Sequence, residues 1–192
     1  MSDTTSPPRR RPSPKTLYIS AASVAAVLAI VVVSIFTGAK VTNGNGDEPT
    51  SALVGKSVAT FSLGGLKGGT IEAPWKSHHA AVLIFFASTC PPCQGEMPEV
   101  AKYLRHHNEG SIRVLGIDTN SDTRAAGQRF VKKSGVTFPV AFDPNETVTT
   151  GIFQFATIPE TAFVNAKGIV TQIYFGAIPK GVLAEGIAAL RA

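Results

Sequence analysis

Cys90 and Cys93 are the only two cysteines in a chain of 192 residues. Thiols at this spacing can close a small disulfide and reopen it, which suits them to exchanging electrons with another disulfide. The nucleophile in that exchange is a thiolate. A free thiol has a pKa near ~8.5 and is mostly protonated at neutral pH. Cys90 stands where an apolar run, Ala80 to Ala87, gives way to a helical pattern. Unpaired N–H groups at a helix start favour a negative sulfur. Cys90 is therefore expected to be the attacking and more exposed thiol. Cys93, one turn in, is expected to be buried and to resolve the mixed disulfide. Pro91 and Pro92 lack N–H groups and fix φ, and proline is well placed in a first helical turn. The pair stiffens the turn and also removes two donors from the thiolate.

Other uses of these side chains fit less well. A structural zinc site needs about four ligands. His78-His79 and His106-His107 are adjacent pairs whose side chains diverge on any regular element, so no metal site is expected. A purely structural Cys90–Cys93 bond would close too small a loop to add much stability. Disulfide exchange requires no cofactor.

The elements that position the pair can be read from periodicity. Val58 to Leu63 and Thr70 to Ala73, separated by Gly64-Gly65 and Gly68-Gly69, predict a short hairpin. Ala81 to Phe86 predicts a buried central strand. Cys93 to Asn108 reads as a helix, with Met97, Val100, Ala101 and Leu104 on one face and Pro98 as a kink. Ile112 to Asp118 predicts a strand. Thr123 to Ser134 predicts a helix, with Asp122 as N-cap and Gly135 past its end. A strand at Phe138 to Phe142, a short helix at Glu146 to Phe153, a hairpin of Glu160 to Asn165 with Ile169 to Phe175, and a helix at Pro179 to Leu190 follow. Strands alternating with helices predict an α/β domain, a mixed sheet with helices on both faces. The lone Trp75 is expected in the core.

Upstream of this domain the chain changes character. Arg9, Arg10, Arg11 and Lys15 lie among prolines and serines, and residues 1–16 are expected to form a basic cytoplasmic tail. Thr16 to Ala39 carries no charge, and its centre, Leu17 to Phe36, has about the ~20 apolar residues that cross a bilayer. Residues 17–39 are thus expected to form a separate transmembrane helix, an anchor or uncleaved signal. The preceding cations put the rest of the chain outside the cytoplasm. The alternative is a cleaved signal ending at Thr37-Gly38-Ala39 and a secreted domain. Residues 40–54 read as a flexible linker, and residues 55–192 as one domain. The formal charge of +5 includes +3 from the first sixteen residues. The remaining +2 gives no footprint for nucleic acid.

Three separated motifs carry a family resemblance. They are Val54-Gly55-Lys56 with Phe61-Ser62-Leu63; the run Phe86-Ala87-Ser88-Thr89-Cys90-Pro91-Pro92-Cys93-Gln94-Gly95-Glu96-Met97-Pro98; and Thr157-Ile158-Pro159-Glu160-Thr161. In this order they resemble the TlpA/ResA-like branch of the thioredoxin superfamily, whose members are membrane-anchored extracytoplasmic thiol-disulfide oxidoreductases. The resemblance covers residues 55–192. It implies a thioredoxin-like mixed sheet flanked by helices, with an N-terminal β-hairpin extension. It implies that Pro159 is a cis-proline facing the cysteines, with Thr157 and Ile158 free to pair with a substrate strand. It also implies a carboxylate, Glu96, that moves protons to and from the thiols. Helical spacing places Glu96 near Cys93, and a first-turn acid suited to the helix dipole is its other reading. The partners implied are exported proteins with disulfides or thiols, apocytochrome c among them, and a membrane thiol-electron carrier.

The sequence departs from the family in places. Thr89 stands where Trp is common, which changes the surface beside the sulfur. Ile84 stands where thioredoxin has a buried acid, so proton transfer is left to Glu96 or water. Glu160 is less usual after the proline and is expected to put charge near the substrate groove. Two other functions compete. Thr137-Phe138-Pro139-Val140 also resembles the peroxiredoxin branch, although a peroxidatic cysteine there has Thr or Ser three positions earlier, where Ala87 stands before Cys90. The other is a binding module whose cysteine bond does not turn over.

Overall fold

A computed structural model of the chain describes residues 51–107 and 109–191. The expected basic tail, the membrane-spanning helix and most of the linker lie outside the described residues. Among the described residues no helix is long and apolar enough to cross a membrane.

The central sheet has five strands: β3 (Ala81–Phe86), β4 (Arg113–Thr119), β5 (Val140–Asp143), β6 (Glu160–Val164) and β7 (Val170–Phe175). Their order is β5-β4-β3-β6-β7. β3, β4 and β5 run parallel, and β6 and β7 complete the other half antiparallel. β3 is buried at every position, as a strand covered on both faces must be. Its alternate residues feed two cores. Val82, Ile84 and Phe86 pack with Met97, Val100 and Leu183 on the helical face. Ala81, Leu83 and Phe85 pack with Phe61, Trp75, Phe153 and Phe155 on the other.

Helix α1 (Pro91–His106) follows β3, α2 (Arg124–Lys133) follows β4, and α3 (Lys180–Ala189) closes the chain. The first of these starts at Pro91 rather than Cys93 because both prolines fit the first turn. Pro98 lies inside it. α3 lies flat on β6 through Gly186, where a Cβ would fall 2.3 Å from the Phe163 ring.

A smaller pair, β1 (Ser62–Gly64) and β2 (Thr70–Glu72), forms an antiparallel hairpin. A single turn of 3-10 helix at Pro74–Ser77 follows and buries Trp75 against Phe61. The hairpin meets the sheet at β5, through a bridge between Gly65 and Ala141 and a bond from Leu66 N–H to Val140 O. The segment before it runs beside β7: Gly55 N–H donates to Val170 O, and Val58 N–H to Gly168 O. Leu53 packs into the same core, so the folded unit begins before the expected boundary at residue 55.

Two expected elements differ. Glu146 to Phe153 forms no helix but a series of turns. The Asp143 carboxylate accepts the N–H groups of Val148 and Thr149 and the Thr149 hydroxyl. That local side-chain bonding offers the backbone an alternative to a helical ladder. The N-cap of α2 is Thr123, whose hydroxyl accepts from Ala126 N–H at 3.2 Å. Asp122 does not cap this helix because its carboxylate is engaged elsewhere.

Candidate active site

The C-terminal end of β3 delivers its chain into a tight turn, with Cys90 N–H donating to Ala87 O at 3.2 Å. Cys90 is the N-cap of α1. Pro91 and Pro92 hold the next two positions without donors. The first available N–H is that of Cys93, and it points at Cys90 Sγ at 3.2 Å. The two sulfurs are bonded, with their Cα atoms 5.3 Å apart. Cys90 is 8% exposed and Cys93 0%. The order of exposure is as expected, but Cys90 reaches solvent through a narrow window rather than standing free. Around it Thr89, Pro91, Pro92, Ala156 and Thr157 are exposed.

Facing the cysteines is the loop that enters β6. The Ile158–Pro159 peptide bond is cis. Ile158 O lies 3.7 Å from Cys90 Sγ. Ile158 is half-buried and Pro159 buried. Hence Thr157, Ile158 and Pro159, far from the cysteines in sequence, line the same opening as Cys90. A partner strand laid here would have backbone groups of this loop and a sulfur within reach.

Glu96 is buried one turn after Cys93. Burial raises its pKa to about 7, against the lowering effect of the Ile178 N–H bond. Ile178 N–H donates to Oε1 at 2.8 Å, while Oε2 has no partner among the described residues. The carboxyl therefore changes protonation near neutrality, where a thiol also needs proton exchange.

Glu160 does not put a charge on the groove. It is 2% exposed, on the sheet face opposite α1, paired in register with Phe85. The Thr157 hydroxyl donates to Glu160 Oε1 at 2.8 Å. Burial pushes its pKa up, and that bond opposes the rise. That bond anchors Thr157 beneath the opening.

Sequence reasoning missed a further buried carboxyl. Asp118, near the end of β4, is 0% exposed. Burial raises its pKa to about 8, with the Asp122 carboxyl adding to the rise and Arg124 opposing it. Asp122 in turn accepts both the backbone N–H and the hydroxyl of Ser88. The available signal was strand alternation: Gly116 and Asp118 share the face that α2 covers. A buried acid thus exists on the helical face although Ile84 is apolar, but it enters from β4 instead of β3.

The AhpC/TSA family pattern matches residues 54–173. The chain belongs to the AhpC/TSA family. Within reach of it are thiol-disulfide exchange proteins. The thiol-disulfide oxidoreductase ResA of Halalkalibacterium halodurans is 24% identical over 156 residues, 81% of this chain and 88% of that one. The structure of MTB DsbF in its mixed oxidised and reduced forms superposes with a TM-score of 0.60 at 29% identity, covering 68% of this chain and 94% of that one. StoA from Bacillus subtilis gives a TM-score of 0.60 at 25% identity, over 67% and 96%. With the Cys90–Cys93 disulfide in a thioredoxin-like fold, the protein is a thiol-disulfide oxidoreductase of the ResA, StoA and DsbE type.

Proposed function

We propose that this oxidoreductase works outside the cytoplasm, tethered to the cell membrane by residues 17–39, and reduces disulfides of exported proteins, apocytochrome c among them. A membrane thiol-electron carrier returns its electrons. The observation that carries the reading is the shared opening: Cys90 Sγ sits at the start of α1, 3.7 Å from Ile158 O of the cis-Pro159 loop. A partner strand pairs with Thr157 and Ile158, which presents its disulfide to Cys90.

In the reduced enzyme the Cys90 thiolate attacks one sulfur of the partner disulfide. A mixed disulfide forms and the partner's second sulfur leaves as a thiolate, which takes a proton. Cys93 then loses its proton to Glu96 and attacks Cys90 Sγ. The Cys90–Cys93 bond forms and the partner leaves with two thiols. The partner gains two electrons from the enzyme and two protons, one from Cys93 by way of Glu96 and one from the solvent that took the Cys90 proton. Glu96 suits the middle step because its pKa of about 7 lets it accept and return a proton at neutral pH.

The test is reduction of insulin with dithiol supplied. Cys90→Ser is expected to abolish it, and Cys93→Ser to trap a mixed disulfide through Cys90. Activity that survives Cys90→Ser overturns the assigned nucleophile. Fast peroxide consumption with sluggish insulin reduction would favour a peroxidase instead. A Cys90–Cys93 bond that resists dithiothreitol would favour a redox-inert binding module. For location, a reporter fused after Ala192 that is active only outside the cytoplasm supports the topology, and one active inside overturns it.

A further inference from the structure

Beneath the active-site turn lies an acid that thiol exchange does not use. Asp118 is fully buried, and among the described residues no donor reaches either of its oxygens. α2 closes over it at Gly127, where an added Cβ would fall 1.9 Å from Asp118 Oδ2. Only a residue without a side chain lets the helix seal the carboxyl so tightly. The charged groups that act on Asp118 are Asp122, from the loop after β4, and Arg124, from α2. Its register neighbours, Phe86 of β3 and Phe142 of β5, are uncharged. Arg124 is itself drawn aside: its guanidinium donates to Gly65 O at 2.7 Å and lies over the Phe142 ring.

Two carboxyls facing each other form a hydrogen bond only when one keeps a proton. Asp122 already accepts two donors from Ser88, which leaves it the acceptor of the pair. The proton therefore belongs on Asp118, whose O–H then has an acceptor and ceases to be an orphan. Ser88, two residues before Cys90, is also held from α1, where Gln94 Nε2 donates to Ser88 O at 2.8 Å.

We infer that Asp118 and Asp122 share one proton and act as a pH-set latch on the turn that carries Cys90. With Asp118 protonated, its O–H orients Asp122, and Asp122 fixes the Ser88 N–H and hydroxyl. When Asp118 gives its proton to solvent, two buried carboxylates repel, Asp122 turns away, and Ser88 loses both bonds. Both acids are positioning residues acting on Cys90 through Ser88. The effect on rate rests on Cys90 being the attacking thiol; the latch itself does not.

The oxidised full chain in detergent micelles separates the two questions, because neither sulfur titrates in the disulfide. The nitrogen-15 and proton resonances of the Ser88 amide are followed as pH rises. They are expected to shift with a midpoint at about 8 and to stay fixed in Asp118→Asn, whose amide donates to Asp122 at every pH. A Ser88 amide that does not move over that range, or that moves identically in Asp118→Asn, overturns the latch. If Asp118→Asn does not fold, the wild type decides alone. An Asp118 carboxyl carbon that has finished titrating below neutral pH overturns the inference; one that titrates with the Ser88 amide supports it. In the reduced enzyme, exchange by the wild type is expected to fall about tenfold below Asp118→Asn once Asp118 is ionised, the size of one charge-assisted hydrogen bond. Equal rates there overturn the link to catalysis. Loss of activity in Cys90→Ser bears only on the nucleophile.

Discussion

At Glu96 a single buried carboxyl, one turn after Cys93, bears on the energetics of the fold. Its pKa rises from 4.5 to about 7 because it is buried. A carboxyl raised on folding binds its proton more tightly in the native state. Its contribution to stability is complete below the unfolded value and is lost as pH climbs through the native one. Glu96→Gln is therefore expected to raise the thermal midpoint relative to wild type above about pH 7 and to lose that advantage near about pH 4, as calorimetry at several pH values would show. In insulin reduction the same change is expected to slow the enzyme and to remove an inflection near pH 7 from the rate profile. A lower rate with the inflection intact would assign Glu96 to packing alone. The cysteine pair could be read from its spacing, whereas Pro159 as a cis-proline and Glu96 as a proton carrier came only with the family resemblance; the Ile158–Pro159 bond is cis. Asp118 could be read from neither. Its burial is imposed by β3, β5 and α2 together, and Ser88, which Asp122 holds, lies on another strand's exit.

Among the elements, the helices depend on how they start and on what they lie against. Thr123 caps α2 with its hydroxyl, so Thr123→Ala is expected to cost about 0.5–2 kcal/mol in denaturant unfolding. Asp122 looked like the cap from sequence because Asp and Thr are both good caps and adjacent here; tertiary bonding to Ser88 decided between them. α3 presses on β6 at Gly186. Gly186→Ala must push the Phe163 ring or lift the helix, and is expected to destabilise by about 1–3 kcal/mol through overpacking. Unfolding midpoints in urea would check this. A neutral or stabilising result would mean that the helix-propensity gain of alanine wins over the clash. Strand existence and order were legible because runs such as Ala81 to Phe86 are too apolar to be anything but covered on both faces. Element ends were less so, and the turn at Glu146–Phe153 was misread because Asp143, outside that segment, supplies its bonds.

For the whole molecule, three buried carboxyls act in one direction. Asp118, Glu96 and Glu160 are all raised by burial. Each favours the folded state most in acid and loses that contribution as pH rises through its native value. The domain is expected to unfold at a higher temperature near about pH 5 than near about pH 9, with Asp118→Asn flattening the decline. A midpoint that rises with pH would contradict these burials. The alternation of strands and helices is legible in the sequence, but the expected helices on both faces are not found: α1, α2 and α3 all pack on one face, and the segments around Phe61, Trp75 and Phe153 cover the other. What the pattern does not reveal is that the residues before the hairpin reach the far side of the sheet and the hairpin itself the near one. β7 and β5 each spend backbone bonds on these attachments. An outermost strand with a companion already seated on it is a poor template for a second copy, so crowding need not drive such molecules into aggregates.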